Sequence, residues 1–191
     1  MNKLKRFSVF VIFALFLCFN AQAFAQETRD VKLAEPSYEV LLQVLVSSNT
    51  SDTGQMPASL APVVRKLKTT FPFTDYRLTA TYLSRIENGG NVENRGIIQE
   101  TSASTTPTFQ DWSLYAVKRT GDAGGQDLVQ IGDFRFGTRI PIQTGQTVSY
   151  NDTGLKINRL NLALNTPTIV GTLNASKTSE LIVLVLTVRT V

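Results

Sequence analysis

Nearly unbroken apolar runs lie at both ends of the mature part of the chain, and regular alternation fills the space between. Tyr38–Val46 reads YEVLLQVLV, with polar residues only at Glu39 and Gln43, which predicts a buried strand. Leu181–Val188, LIVLVLTV, is apolar until Thr187; it is too short to span a membrane as a helix and fits a central strand covered on both faces. One segment has helical period. Leu60, Val63, Val64, Leu67 and Phe71 fall on a single face, with Arg65, Lys66 and Lys68 elsewhere on the wheel. Ser59 is the expected N-cap, Pro62 lies in the first turn, and Phe71-Pro72 closes the helix.

The remainder reads as strands. Tyr76–Ile86 alternates, which predicts Tyr76, Leu78, Ala80, Tyr82 and Ile86 on one side. Asn88-Gly-Gly-Asn91 tolerates positive φ and predicts a hairpin into Val92–Gln99. In Phe109–Arg119, alternation places Trp112, Leu114 and Ala116 on one face and Phe109, Tyr115 and Val117 on the other. Leu128–Ile142 forms one or two strands punctuated by Gly132, Gly137 and Pro141, with Phe134 and Phe136 towards the core and Pro141 and Gly145 ending the strand. Between Leu155/Ile157 and Leu160/Leu162/Leu164 the apolar parity changes, so one inserted residue near Asn158–Arg159, a β-bulge, is expected. Thr168–Leu173 is a short strand. Residues 47–55, 101–108 and 120–127 are loops by composition. The fold class is α+β, predominantly antiparallel β. A β-α-β opening with one amphipathic helix precedes a β-rich, sandwich-like body.

Composition then separates what is exported from what targets it. A basic start (Lys3, Lys5, Arg6), an apolar Phe7–Phe19 and small residues at Ala21, Ala23 and Ala25 have the order of a secretory signal peptide. Cleavage is expected after Ala25, with Ala23 the alternative. Leu17 before Cys18 fits lipoprotein processing poorly. The expected organisation is a signal peptide over 1–25, a flexible leader over 26–37 and a single β-rich domain over 38–191, with 38–100 and 108–191 as candidate subdomains. Removing Lys3, Lys5 and Arg6 from 19 basic residues leaves 16 against 15 acids, so the basic balance belongs to targeting and implies no nucleic-acid partner. Cys18 leaves with the signal, and the chain holds no histidine. The commonest general base, the commonest metal ligand and every imidazole triad are therefore absent, and no cofactor or metal is expected.

Candidate chemistry is correspondingly sparse. Gly121-Asp-Ala-Gly124-Gly125 lacks the Lys-Ser/Thr of a phosphate cradle and no helix follows it, so it reads as a turn. Asp111, Asp127, Asp133 and Asp152 are the acids a hydrolase would draw on, but no spacing pairs them, and Asp122 with Asp127 lacks an EF-hand pattern. Trp112, Tyr115 and Tyr150 are the candidate aromatic surface for a ligand or partner, with core packing as the competing account.

One stretch carries a family resemblance. FRFGTRIPIQTGQTVSYNDTGLKINRLNLAL contains a glycine, a basic residue and Ile-Pro, then a loop, then Tyr-x-Asp-x-Gly-Leu: Gly137, Arg139, Ile140, Pro141, Tyr150, Asp152, Gly154 and Leu155. This resembles part of the C-terminal domain of bacterial secretins, the outer-membrane channels of secretion and pilus systems, over about residues 131–191. The aliphatic ending SELIVLVLTVRTV is similar too. The chain departs from the family at Thr166–Leu173, TPTIVGTL, and has no lip or gate segment of adequate length. The resemblance implies an exported, non-enzymatic envelope component, periplasmic or associated with the outer membrane. Its expected partners are envelope proteins or further copies, met through β-sheet edges. A secreted β-sandwich that binds a ligand or carbohydrate is the alternative.

Overall fold

The computed structural model describes residues 36–48, 56–98, 106–121, 127–174 and 180–191. The expected signal peptide, most of the expected leader and the greater part of each predicted loop lie outside the described residues. Nine strands and one helix follow in order: β1 (Ser37–Ser48), α1 (Ala61–Thr70), β2 (Asp75–Glu87), β3 (Val92–Ile98), β4 (Thr108–Tyr115), β5 (Lys118–Gly121), β6 (Asp127–Thr144), β7 (Thr147–Ala163), β8 (Thr168–Asn174) and β9 (Leu181–Thr190). All strand pairs are antiparallel. The fold is therefore α+β, mostly antiparallel β, with a single short helix and two sheets among the described residues.

The first sheet has the order β2-β1-β9-β8, and its centre explains the apolar end of the sequence. On β9, Ile182, Leu184, Leu186 and Val188 face the second sheet, whereas Leu181, Val183 and Val185 join the cluster under α1. A strand covered on both faces has no position for a polar side chain to reach water, so alternation disappears. In the second sheet β6 is central: β4 and β5 pair along one side, with β3 beyond β4, and β7 pairs along the other. Trp112, Leu114, Val129, Ile131, Phe134, Phe136 and Leu162 pack from this sheet onto Tyr38, Val40, Leu42 and Val44 of β1. Helix, first sheet and second sheet are thus three successive layers.

α1 buries Leu60, Val63 and Leu67 against Leu45, Tyr76 and the odd-numbered residues of β9. Its start differs from the sequence reading. Ser59 is inside a 3-10 turn (Ala58–Leu60), Leu60 occupies the N-cap without a side-chain hydrogen bond, and Pro62 fills the first turn. The proline removes a donor that would otherwise need capping, so a hydroxyl there has less to satisfy. At the other end, Lys68 forms a 3.2 Å ion pair with Asp75.

Three further expectations are corrected. Val44 pairs with Ala80 and Leu45 with Leu78, so Thr79 is an extra residue on β2. That bulge, where the Thr79 hydroxyl donates to the Val44 carbonyl at 3.0 Å, sends Tyr76 and Leu78 towards α1 but Ala80, Tyr82 and Ile86 towards the second sheet. The turn at Asn88–Asn91, with Gly89 at φ +79°, does not close a β2–β3 hairpin; it carries the chain from one sheet to the other, where β3 pairs with β4. Pro141 does not end a strand, because β6 runs on to Thr144 and the turn follows at Gly145. β4 pairs with β6 only as far as Arg139, so Pro141 stands on an edge portion of β6 where its missing N–H costs no ladder bond.

The expected β-bulge in β7 is also replaced. The β6–β7 register is continuous from Leu128↔Ala163 to Thr144↔Thr147, with no inserted residue. Both strands instead turn two consecutive residues outward at the same level, Gly132-Asp133 and Asn158-Arg159. β4–β5 does the same at Tyr115-Ala116, which is why Val117, not Ala116, reaches the core. Arg159 (φ +62°) and Ala116 (φ +54°) are left-handed on either side of Gly132. A transverse crease therefore crosses three strands, and because all three spend one extra residue, pairing is undisturbed.

One buried hydrogen bond ties the two ends of the core together. The Leu181 amide donates to the Ser47 hydroxyl at 2.7 Å, with Ser47 fully buried. Ser47→Ala is expected to cost about 1–3 kcal/mol by urea denaturation, because it strands a buried donor. A loss no larger than that of an exposed Ser→Ala control would refute this role.

Candidate functional site

The outward face of the second sheet holds the polar and aromatic side chains that the core does not use. Its residues follow from strand alternation: Arg95 and Ile97 on β3, Phe109, Asp111 and Tyr115 on β4, Asp133, Arg135, Gly137, Arg139 and Pro141 on β6, and Tyr150, Asp152, Gly154 and Lys156 on β7. Cross-strand register sets them in rows. Arg95, Asp111, Gly137 and Gly154 form one row, and Ile97, Phe109, Arg139 and Asp152 the next.

The motif residues singled out in the sequence prove to be a single unit. Gly137 is opposite Gly154, Arg139 opposite Asp152 and Pro141 opposite Tyr150, three successive outward pairs along the β6–β7 hairpin. Arg139 approaches Asp152 at 3.4 Å, both well exposed. Crowding enforces Gly154, where a Cβ would lie 2.7 Å from the Phe136 carbonyl oxygen; one on Gly137 would lie 2.8 Å from the Asp111 carboxylate, a side chain that can move aside.

The three candidate surface aromatics are not brought together. Trp112 is 2% exposed and points inward, 6.0 Å from the Tyr82 ring. Tyr115 lies on the outer face, where its hydroxyl donates to the Glu93 carboxylate; that bond, then burial, raises the phenol above its ordinary range. Tyr150 is 42% exposed, and its neighbour is Phe109, 37% exposed, with ring centroids 5.6 Å apart at 57°. Phe109 was legible in sequence, since alternation placed it opposite Trp112. Its pairing with Tyr150 was not, because only the register across β6 brings the two together.

Of the candidate carboxylates, Asp111 and Asp152 stand in adjacent rows of the outward face, Asp133 lies further along it, and Asp127 is at the start of β6. Asp127 pairs with Arg119, Asp133 with Arg135 (2.9 Å) and Lys156 (3.7 Å), and Asp152 with Arg139. Asp111 stands over Gly137 and opposite Arg95. Asp122 lies outside the described residues. Among the described residues no group of three or more acids could hold a metal ion, and no helix is long and apolar enough to cross a membrane.

No protein-family model matches the sequence, and no curated protein matches it. Among solved structures the chain is similar to the Salmonella SPI-1 type III secretion injectisome secretin InvG (residues 176-end) in the open gate state. The identity is 12%, the TM-score is 0.38, and the match covers 94% of this chain and 65% of that one. The chain thus spans less than two thirds of that structure, and a likeness at this TM-score carries no functional argument.

Proposed function

We propose that the chain is an exported, non-enzymatic component of the bacterial envelope, secretin-like in its β6–β7 hairpin, that assembles with envelope partners or further copies through free sheet edges. The observation that supports this reading is the arrangement of Gly137, Arg139, Pro141, Tyr150, Asp152 and Gly154 as three consecutive outward pairs on one hairpin. Six motif residues gathered on one hairpin face suit a building element of the sheet. The edge beside it favours the same reading. β7 is 17 residues long and pairs only with β6 among the described residues. Such an edge presents unpaired backbone donors and acceptors to any incoming strand, and β7 contains no proline to interrupt them. The expected location is the periplasm or the outer-membrane periphery, with release from the cell as the alternative.

Fractionation of a bacterial host expressing the full chain, followed by size analysis in mild detergent, tests the reading. The expected result is an envelope-associated species of several copies or a complex with an envelope protein. A soluble monomer recovered alone from the periplasmic extract at every concentration would sink it.

A further inference from the structure

The Phe109–Tyr150 pair lies on the outward face of the second sheet, with Phe109 on the interior strand β4 and Tyr150 on the edge strand β7. β4 and β6 are interior strands over this stretch, so their backbone groups are already bonded within the sheet. A ligand resting on this face must be recognised by side chains, which disfavours an extended peptide that docks through main-chain bonds. Two adjoining depressions of about 270 and 350 Å³ share Phe109 and Arg139. Arg95 and Asp111 line the first, Tyr150 and Asp152 the second. Their volumes are at the small end of ligand sites.

We propose that this cleft binds a neutral glycan chain. Three features of its chemistry select that class. First, Phe109, which lines both depressions, and Tyr150, which lines the second, are partly exposed, and the C–H face of a pyranose is an apolar surface of matching scale. Second, donors and acceptors are interleaved. Arg95 and Asp111 are cross-strand neighbours, and neither forms an ion pair among the described residues. A planar guanidinium and a carboxylate each offer two parallel sites, the geometry that adjacent hydroxyls require. Third, the site balances Arg95 and Arg139 against Asp111 and Asp152, so a phosphate backbone or an acidic polymer would meet as much repulsion as attraction.

Isothermal titration of the mature chain with cellohexaose and with chitohexaose, both neutral hexasaccharides, tests the proposal independently of assembly. Saturable binding to at least one is expected. Phe109→Ala and Tyr150→Ala should each weaken it about tenfold, the scale of one aromatic contact. Asp111→Asn should weaken it as well, whereas Tyr115→Phe, on the same face but outside the cleft, should leave it unchanged. The proposal is overturned by absence of saturable binding to both sugars, or by undiminished affinity in folded Tyr150→Ala. It is overturned equally if Tyr150→Ala reduces only the size of an assembly, which would make the face a protein interface.

Discussion

Trp112→Ala is expected to lower the stability of the domain by about 3–5 kcal/mol, the range for removing a large aromatic from a packed core. Trp112 is 2% exposed and opposite Phe136 on β6, and its ring contacts Tyr82 from the first sheet. It therefore joins the two sheets, and an alanine would leave a cavity touching both. The indole nitrogen sharpens the test, because it is buried without an acceptor among the described residues. Trp112→Phe removes that unpaired donor while keeping much of the ring, so its cost should be far smaller, about 1 kcal/mol. Trp112 is the chain's single tryptophan, so both variants are best compared by far-ultraviolet circular dichroism in urea. Equal midpoints for Trp112→Ala and the unaltered protein would place the ring outside the core and return it to the candidate surface.

The same residue shows where sequence reasoning reached and where it stopped. Alternation within β4 separates Trp112 from Phe109 and Tyr115, but it does not say which side is wet. Only the second sheet's partner layer, β1 and β9, decides that. The central role of β9 was legible because burial on both faces leaves an unmistakable apolar run. The face of α1 was legible because Leu60, Val63 and Leu67 keep helical spacing. Thr79 was not legible, since a threonine within an alternating strand gives no sign that it will be the extra residue. The turn at Asn88–Asn91 was read correctly as a turn, yet its chemistry fixes φ and not the sheet that receives the next strand. The motif residues marked two stretches separated by a loop, but not that they pair with each other as β6 and β7. Their pairing into Gly137/Gly154, Arg139/Asp152 and Pro141/Tyr150, and the meeting of Tyr150 with Phe109, depend on register across three strands.

Gly132→Val is expected to destabilise the protein by about 1–3 kcal/mol, the scale of adding side-chain bulk where neighbours must give way. The sequence hints at the crease only in β7, through the changed parity between Ile157 and Leu160. A lone insertion there would shift the register against β6, and no shift occurs, because Gly132 and Ala116 change phase at the same level. The three positions differ in what they tolerate. A Cβ on Gly132 would lie 3.1 Å from the Ala116 Cβ and 3.3 Å from the Tyr115 carbonyl oxygen. Ala116 cannot withdraw readily, since its amide donates to the Asn91 side chain at 2.9 Å. Valine's two methyl groups would add to a contact already tight for one carbon. Arg159 presents the opposite case: it is exposed and left-handed, a conformation that costs an L-residue about 1–2 kcal/mol. Glycine would remove that cost while adding freedom to the unfolded chain, so Arg159→Gly should gain up to about 1 kcal/mol. Urea midpoints of the two variants, compared with the unaltered chain, should thus move in opposite directions. If Gly132→Val stays within about 0.5 kcal/mol of the unaltered protein, the ordinary range of a surface change, the crease is not a constraint on the sheet. If instead both variants lose stability, Arg159 contributes through its side chain, and the left-handed backbone is the smaller term.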